Sequence, residues 1–295
     1  MNKNRDKIIG IALISPSIIA VFIFVYGFIF WSFRVSLSQW KGLLPNYAWA
    51  GFQNYISLFS DARFQIDIRN TLIFTVLFVT GCLILGLGMA VLLDRGIRGE
   101  AFFRTVFLFP MAISYIVTGV VWRWLMNPAT GDRISGINLI FDKLGLDFLI
   151  SKWLTTPQWG IAFIAIPAIW QMSGYIMALY LSALRAIPEE IREAAAVDGA
   201  SESQIFWMII FPLIQPITFS AVIILGHMSL KVFDLIVAIA GKQTALDVPA
   251  INMWQTTFDG LDYARGAAIG ILLLVSVAVL IIPYLRYSLK TEEQL

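Results

Sequence analysis

The chain has one cysteine and one histidine in 295 residues, and only 14% of it is charged. The lone Cys82 lies inside an apolar run, which excludes an intramolecular disulfide and a cysteine metal cluster. The lone His227 excludes a histidine-rich metal site. No glycine-rich loop ending in Gly-Lys-Ser/Thr occurs. Gly241-Lys242 is followed by Gln243 and lacks the earlier glycine, so binding and hydrolysis of ATP by that route are excluded. The apolar runs contain no set of nucleophile, base and metal ligands, which argues against an intramembrane enzyme. The net charge of +2 is small and the basic residues are scattered, so nothing points to nucleic acid.

Apolar residues are abundant, at 59%, well beyond a soluble domain. Six runs are long enough to cross a bilayer, which takes about 20 apolar residues. They are Ile8–Phe33, Thr71–Leu93, Thr105–Trp122, a stretch within Trp153–Leu184, one within Ile205–Ala240, and Gly266–Leu285. Backbone groups in lipid must be satisfied internally, so each is expected to be a helix. The expected fold is therefore all-α and integral to the membrane: one domain over 1–295, with spans near 8–33, 71–93, 105–126, 158–184, 206–240 and 266–286. Lys3, Arg5 and Lys7 before the first run suggest a secretory signal. The run is too long for a signal core, however, and no small-residue cleavage site follows it, so it reads as a retained span.

Basic residues are densest in the N-terminal arm, around Arg95, Arg98 and Arg104, around Arg185 and Arg192, and in the tail with Arg286 and Lys290. By the positive-inside rule both termini and the 185–205 loop are expected on the cytoplasmic side. Trp40, Trp49, Trp153 and Trp159 fall in the opposite connections, where they suit either an interfacial belt or buried loop anchors. Tyr55, Ile56, Phe59 and Phe64 give residues 52–64 a roughly helical apolar face.

Between two uncharged regions sits a patterned island, Pro188 to Ser201. Pro188 suits the first helical position. Glu189, Glu190 and Glu193 place negative charge where the helix dipole favours it. Ala194, Ala195 and Ala196 are strong helix formers, and Gly199 suits the left-handed end of a helix. Ser201 and Gln204 have capping-box spacing. These residues predict a short helix, a sharp turn and a second helix re-entering the membrane. The alanines leave one side thin enough for another protein to approach closely.

Glu193-Ala194-Ala195, Asp198-Gly199-Ala200, Ile209-Ile210-Phe211-Pro212 and Pro216 resemble the EAA loop of permease subunits of bacterial carbohydrate ABC importers, in the subfamily related to the maltose permease. Phe211 stands where that family usually has leucine. Lys231-Val232-Phe233-Asp234 is similar to a motif of its fifth span, although the Gly-Gly-Pro that usually follows is absent. The resemblance implies a type I importer permease fold in the bacterial inner membrane, with Glu193, Ala194, Ala195, Asp198, Gly199 and Ala200 coupling to an ATPase. It implies a second permease, two ATPase subunits and an extracytoplasmic sugar-binding protein as partners. ATP and Mg are then bound by the ATPases and by no part of this chain. It also places a substrate path along Trp170, Gln171, Met172 and Tyr175 of the fourth span and Leu225, Met228 and Ser229 of the fifth.

Three further readings rest on the residues themselves. Pro167 removes a backbone bond in the fourth span, where a helix break would expose polar backbone. Lys231 and Asp234, three apart, can pair on one helix, serving either as a structural ion pair or in ion coupling. Ion coupling would make the chain a secondary transporter. Gly81, Gly86 and Gly88 suit close helix packing.

Overall fold

The computed structural model describes residues 3–156, 158–241 and 243–292; Lys242, named above beside Gly241, lies outside the described residues. The described chain is helical, without strands; an isolated bridge joins Ser38 and Trp49. Helices α1 (Lys3–Val21) and α2 (Phe28–Ser36) are joined by a π-helical turn at Phe22–Gly27. A short α3 (Gln53–Phe59) precedes the long α4 (Ala62–Asp94). Then come α5 (Glu100–Leu108), α6 (Tyr115–Leu125), α7 (Gly136–Lys143), α8 (Gly160–Arg185) and α9 (Glu189–Val197). The remainder is α10 (Glu202–Ile205), α11 (Phe211–Leu213), α12 (Gln215–Leu230), α13 (Asp234–Ala240), α14 (Pro249–Trp254) and α15 (Tyr263–Glu292). Two more π turns, Phe206–Ile210 and Gln255–Asp259, lie after α10 and α14.

Four helical stretches are long and apolar enough to cross a membrane unaided: Leu13–Ser36, Ala62–Asp94, Gly160–Arg185 and Tyr263–Tyr284. The third and fifth expected spans are broken. Glu100–Ala112 and Tyr115–Leu125 meet at 97°, and Glu202–Leu213 and Gln215–Leu230 at 62°. Counting each bent pair as one span gives six. The first break follows from Pro110, which has no N–H to donate, and from Ser114, whose hydroxyl accepts from the N–H of Val117 and restarts the helix. The fifth run also ends earlier than expected: α12 stops at Leu230, and α13 is a separate helix. Pro167, by contrast, sits inside an unbroken α8.

The chain divides into two compact units. The first comprises residues 1–65 and 249–275. Its core joins Leu58 and Phe64 to Ala268 and Ile269. Of the apolar face expected at 52–64, Tyr55 and Phe64 pack against this core while Ile56 and Phe59 are exposed. Trp40 stacks on Tyr263 at 4.8 Å. Trp49 is exposed, with the Arg34 guanidinium 5.8 Å from its ring. Asp61 caps α4 by accepting from the backbone N–H of Arg63, and it pairs with Arg265. Partial burial works to raise the Asp61 carboxyl pKa. The N–H of Arg63, the Arg265 charge and the N–H of Phe64 outweigh it and hold the group below its ordinary value.

The second unit comprises residues 66–248 and 276–295. Its centre is α8, most of whose residues are buried. Gly81 and Gly86 of α4 lie against Ile169 and Ile176 of α8, with no room for a side chain; Gly88 faces open space. Gly119 of α6 gives α13 the same close approach at Ala238. Trp153 is a buried loop anchor and no belt residue: its indole N–H donates to Asn138 at 2.9 Å. Trp159 is exposed.

Candidate functional site

Two features of the second unit bear on function. The first is α9 with its two ends. Pro188 is the residue before the helix (φ −57°, ψ 137°), one position earlier than its composition suggests, and Glu189 and Glu190 fill the first turn. The last turn closes in a Schellman motif. The N–H of Ala200 donates to the carbonyl of Ala195 (3.1 Å), and that of Gly199 to Ala196 (3.0 Å). Gly199 takes φ +84°, which a β-branched residue adopts only under strain. The chain then turns directly into the Ser201–Gln204 capping box, in which the Ser201 N–H donates to Gln204 at 2.8 Å. The result is a rigid helix on two tight hinges. Glu193, Ala194, Asp198 and Gly199 face outward, Ala200 is half-buried, and Ala195 is tucked inward at 8% exposure. Val197, 87% exposed, adds an apolar knob.

Ion pairs tie the base of this loop to its neighbours. Arg192 donates to Asp94, the last residue of α4, at 2.9 Å. Arg185 donates to Glu100 at the start of α5 at 2.8 Å, and Arg104 pairs with the same carboxylate. Arg185 and Arg192 are recognisable as loop residues from the sequence, but their partners lie 85 and 98 positions away.

The second feature is a cavity of about 210 Å³ where α12 ends. Phe74 and Phe78 of α4, stacked at 5.4 Å, form one wall. Tyr115 of α6 and Met228 of α12 form others. Lys231, Val232, Phe233 and Asp234 line the gap between α12 and α13. Because the helix breaks between Lys231 and Asp234, they are not three apart on one helix, and no ion pair joins them among the described residues. The structural ion pair expected there is absent. Asp234 instead opens α13, where the helix dipole favours its charge.

The expected path residues divide. Met228 reaches the cavity. Leu225 is fully buried, and Ser229 is spent in packing, accepting from Thr75 and donating to the Gly226 carbonyl. On α8, Met172 is buried, Tyr175 half-buried, and Trp170 is 40% exposed with its ring 6.0 Å from Trp122. Gln171, 2% exposed, donates its amide to the carbonyl of Ile113 in the first helix break. Its Oε1 is buried without a partner among the described residues. The polar demand of a buried amide was legible; its satisfaction by a broken neighbouring span was not. Phe74, Phe78 and Tyr115 were missed because aromatics in apolar runs carry no signal distinguishing a lining residue from a packed one.

Residues 82–289 match the family described as binding-protein-dependent transport system inner membrane component, and the chain belongs to that family. It is a permease-type, multi-pass integral membrane protein of the ABC importer class. It is 40% identical to a probable ABC transporter permease of Pyrococcus horikoshii over 100% of both chains. It is 36% identical to the xylose/arabinose import permease of Haloferax volcanii, over 90% of this chain and 83% of the relative. Identity with the trehalose/maltose transport permease of Thermococcus litoralis is 30%, over 96% and 95%. Among solved structures, a chain of a bacterial alginate ABC transporter, in complex with an alginate-pentasaccharide-bound periplasmic protein, shares the fold. The TM-score is 0.79 at 24% identity, over 95% of this chain and 93% of that one.

Proposed function

We propose that this chain is one membrane-spanning subunit of an ATP-driven importer of sugars or glycosides. It forms the translocation path with a second permease subunit and receives sugar from an extracytoplasmic binding protein. The observation that carries the reading is α9: a dipole-matched helix opened by Pro188 and closed by a Schellman turn and a capping box, offering Glu193, Ala194, Asp198 and Gly199 to a partner. Two ATPase subunits bind ATP and Mg and close on the nucleotide; α9, seated in a cleft of one of them, carries that movement to the spans. Glu193 and Asp198 face basic groups of the cleft. The sugar specificity follows from the chain's relatives, whose names include xylose, arabinose, trehalose and maltose. The path passes Trp170, Gln171, Met172, Tyr175, Leu225, Met228 and Ser229, and Met228 brings it to the cavity walled by Phe74, Phe78 and Tyr115. Flat aromatic faces suit pyranose rings, and backbone freed at helix breaks suits hydroxyls.

Uptake by membrane vesicles tests the energy source. Uptake is expected to need ATP and to persist when the proton gradient is collapsed. Loss of uptake with the gradient would leave a secondary transporter. Topology has its own test. Both termini and residues 185–205 belong on the cytoplasmic side, and Ala48 and Thr244 outside. Cys82 is fully buried, so a thiol placed at 48 or 244 is expected to label from outside and one at 190 is not. External labelling at 190 would invert the arrangement.

A further inference from the structure

Helix α9 is joined covalently only to its neighbours in sequence, α8 and α10. The aromatic wall of the cavity belongs to α4, which has no covalent route to α9 shorter than the whole segment from Arg95 to Pro188. The two helices nevertheless touch through one polar contact. The guanidinium of Arg192, the only basic residue of α9, donates to Asp94 Oδ2 at 2.9 Å and more weakly to the Leu184 carbonyl at 3.4 Å. The side chains are 26% and 14% exposed, so the pair is shielded from solvent better than an ordinary surface pair. Asp94 is the last residue of α4, and no basic residue occupies that helix's last turn. A carboxylate at a helix C-terminus faces the negative end of the dipole. Its own helix therefore gives Asp94 no support, and Arg192 does.

We propose that Asp94 and Arg192 form a strut through which α9 drives α4, and with it the Phe74–Phe78 wall of the cavity. From Asp94 to Phe74, α4 runs as an uninterrupted helix, about 30 Å at 1.5 Å per residue. Displacement at one end of such a rod is carried to the other. Gly81 and Gly86 let the rod lie directly on α8, so movement is a slide or tilt along that seam and not a repacking. Glu100, held by Arg185 and Arg104, fixes the start of α5 to the end of α8. Movement of α9 thus reaches α4 through Arg192 while the α5 end stays with α8. Asp94 and Arg192 are positioning residues: neither touches the transported molecule. The inference rests on the ATPase-docking role of α9.

The test uses the whole reconstituted complex with Asp94→Asn, Asp94→Glu, Arg192→Gln and the reversed pair Asp94→Arg with Arg192→Asp. Four quantities are read: co-purification of the ATPase, ATP hydrolysis, sugar imported per ATP consumed, and thermal stability of the complex. Asp94→Asn and Arg192→Gln are expected to retain the ATPase and to hydrolyse ATP. Their sugar-to-ATP ratio is expected to fall roughly fivefold or more, as one partner of a charge-assisted hydrogen bond is lost. Asp94→Glu should recover most of that ratio, as should the reversed pair. An unchanged ratio in both single variants overturns the strut. So does a fall in thermal stability and in uptake that leaves sugar per ATP constant, because the pair would then be structural only. If the unaltered chain does not retain the ATPase, the docking role of α9 has failed, which is a separate result.

Discussion

Gly199→Val is expected to remove most sugar uptake while leaving the protein inserted in the membrane. The Cβ of valine would meet nothing within 4 Å, so the cost is not a clash. It lies in the backbone, because φ is +84° and valine is strained there. Holding a non-glycine residue in such a conformation costs on the order of 1–3 kcal/mol. The Schellman bonds from Gly199 and Ala200 are the cheapest to give up, so the last turn of α9 should unwind and the Ser201 cap should shift with it. Expressed in uptake, that strain corresponds to a roughly 5- to 150-fold loss. Asparagine, which visits the left-handed region more readily, should cost much less. Transport assays paired with pull-down of the ATPase separate the outcomes. Normal uptake and normal assembly in Gly199→Val would remove α9 from the coupling role.

Gly174→Ala is expected to destabilise the protein severely for the sake of a single methyl. An alanine Cβ at 174 would stand 1.9 Å from the carbonyl oxygen of Phe107 and 2.6 Å from its carbon. Both are backbone atoms, so no rotamer change relieves the contact. Either α8 or the end of α5 must move, and that end leads into the broken segment whose Ile113 carbonyl accepts from Gln171. Ordinary overpacking costs about 1–3 kcal/mol, and a backbone collision belongs at or above the top of that range. The expected readout is a large fall in folded yield and in the melting temperature of the detergent-solubilised protein. Gly88→Ala serves as the comparison: that position faces open space, and its substitution should leave the melting temperature nearly unchanged. Equal melting temperatures for the two variants would refute the packing seen at Phe107.

What could be read from residues alone separates along physical lines. The α9 turn was legible because caps are local: Gly199, Ser201 and Gln204 act within a few positions of themselves. The spans were legible because lipid imposes a length of apolar sequence. Their breaks were less so. Hydropathy does not change at Ile113 or Ile214, where the chain bends, and Pro167 breaks nothing while Pro110 marks a real break. A proline in a membrane helix is tolerated where neighbours accommodate it, so its presence alone does not locate a bend. Lys231 and Asp234 misled for a related reason. Their spacing is helical only if the helix continues, and it ends at Leu230. The partners of Arg192 and Arg185 lie 98 and 85 positions away, and spacing along the sequence does not encode pairings at that separation.

The three π turns give the chain places where its length can change. A π turn holds more residues per turn than the α-helix on either side. Losing one residue within Phe206–Ile210 would relax that turn into ordinary helix and leave α11 and α12 facing as they do. The same loss in α4 would rotate everything beyond it by about 100°, one residue of a 3.6-residue turn, and swing Gly81 and Gly86 off the α8 seam. A one-residue deletion is therefore expected to be absorbed at 22–27, 206–210 and 255–259 and to be disruptive within α4.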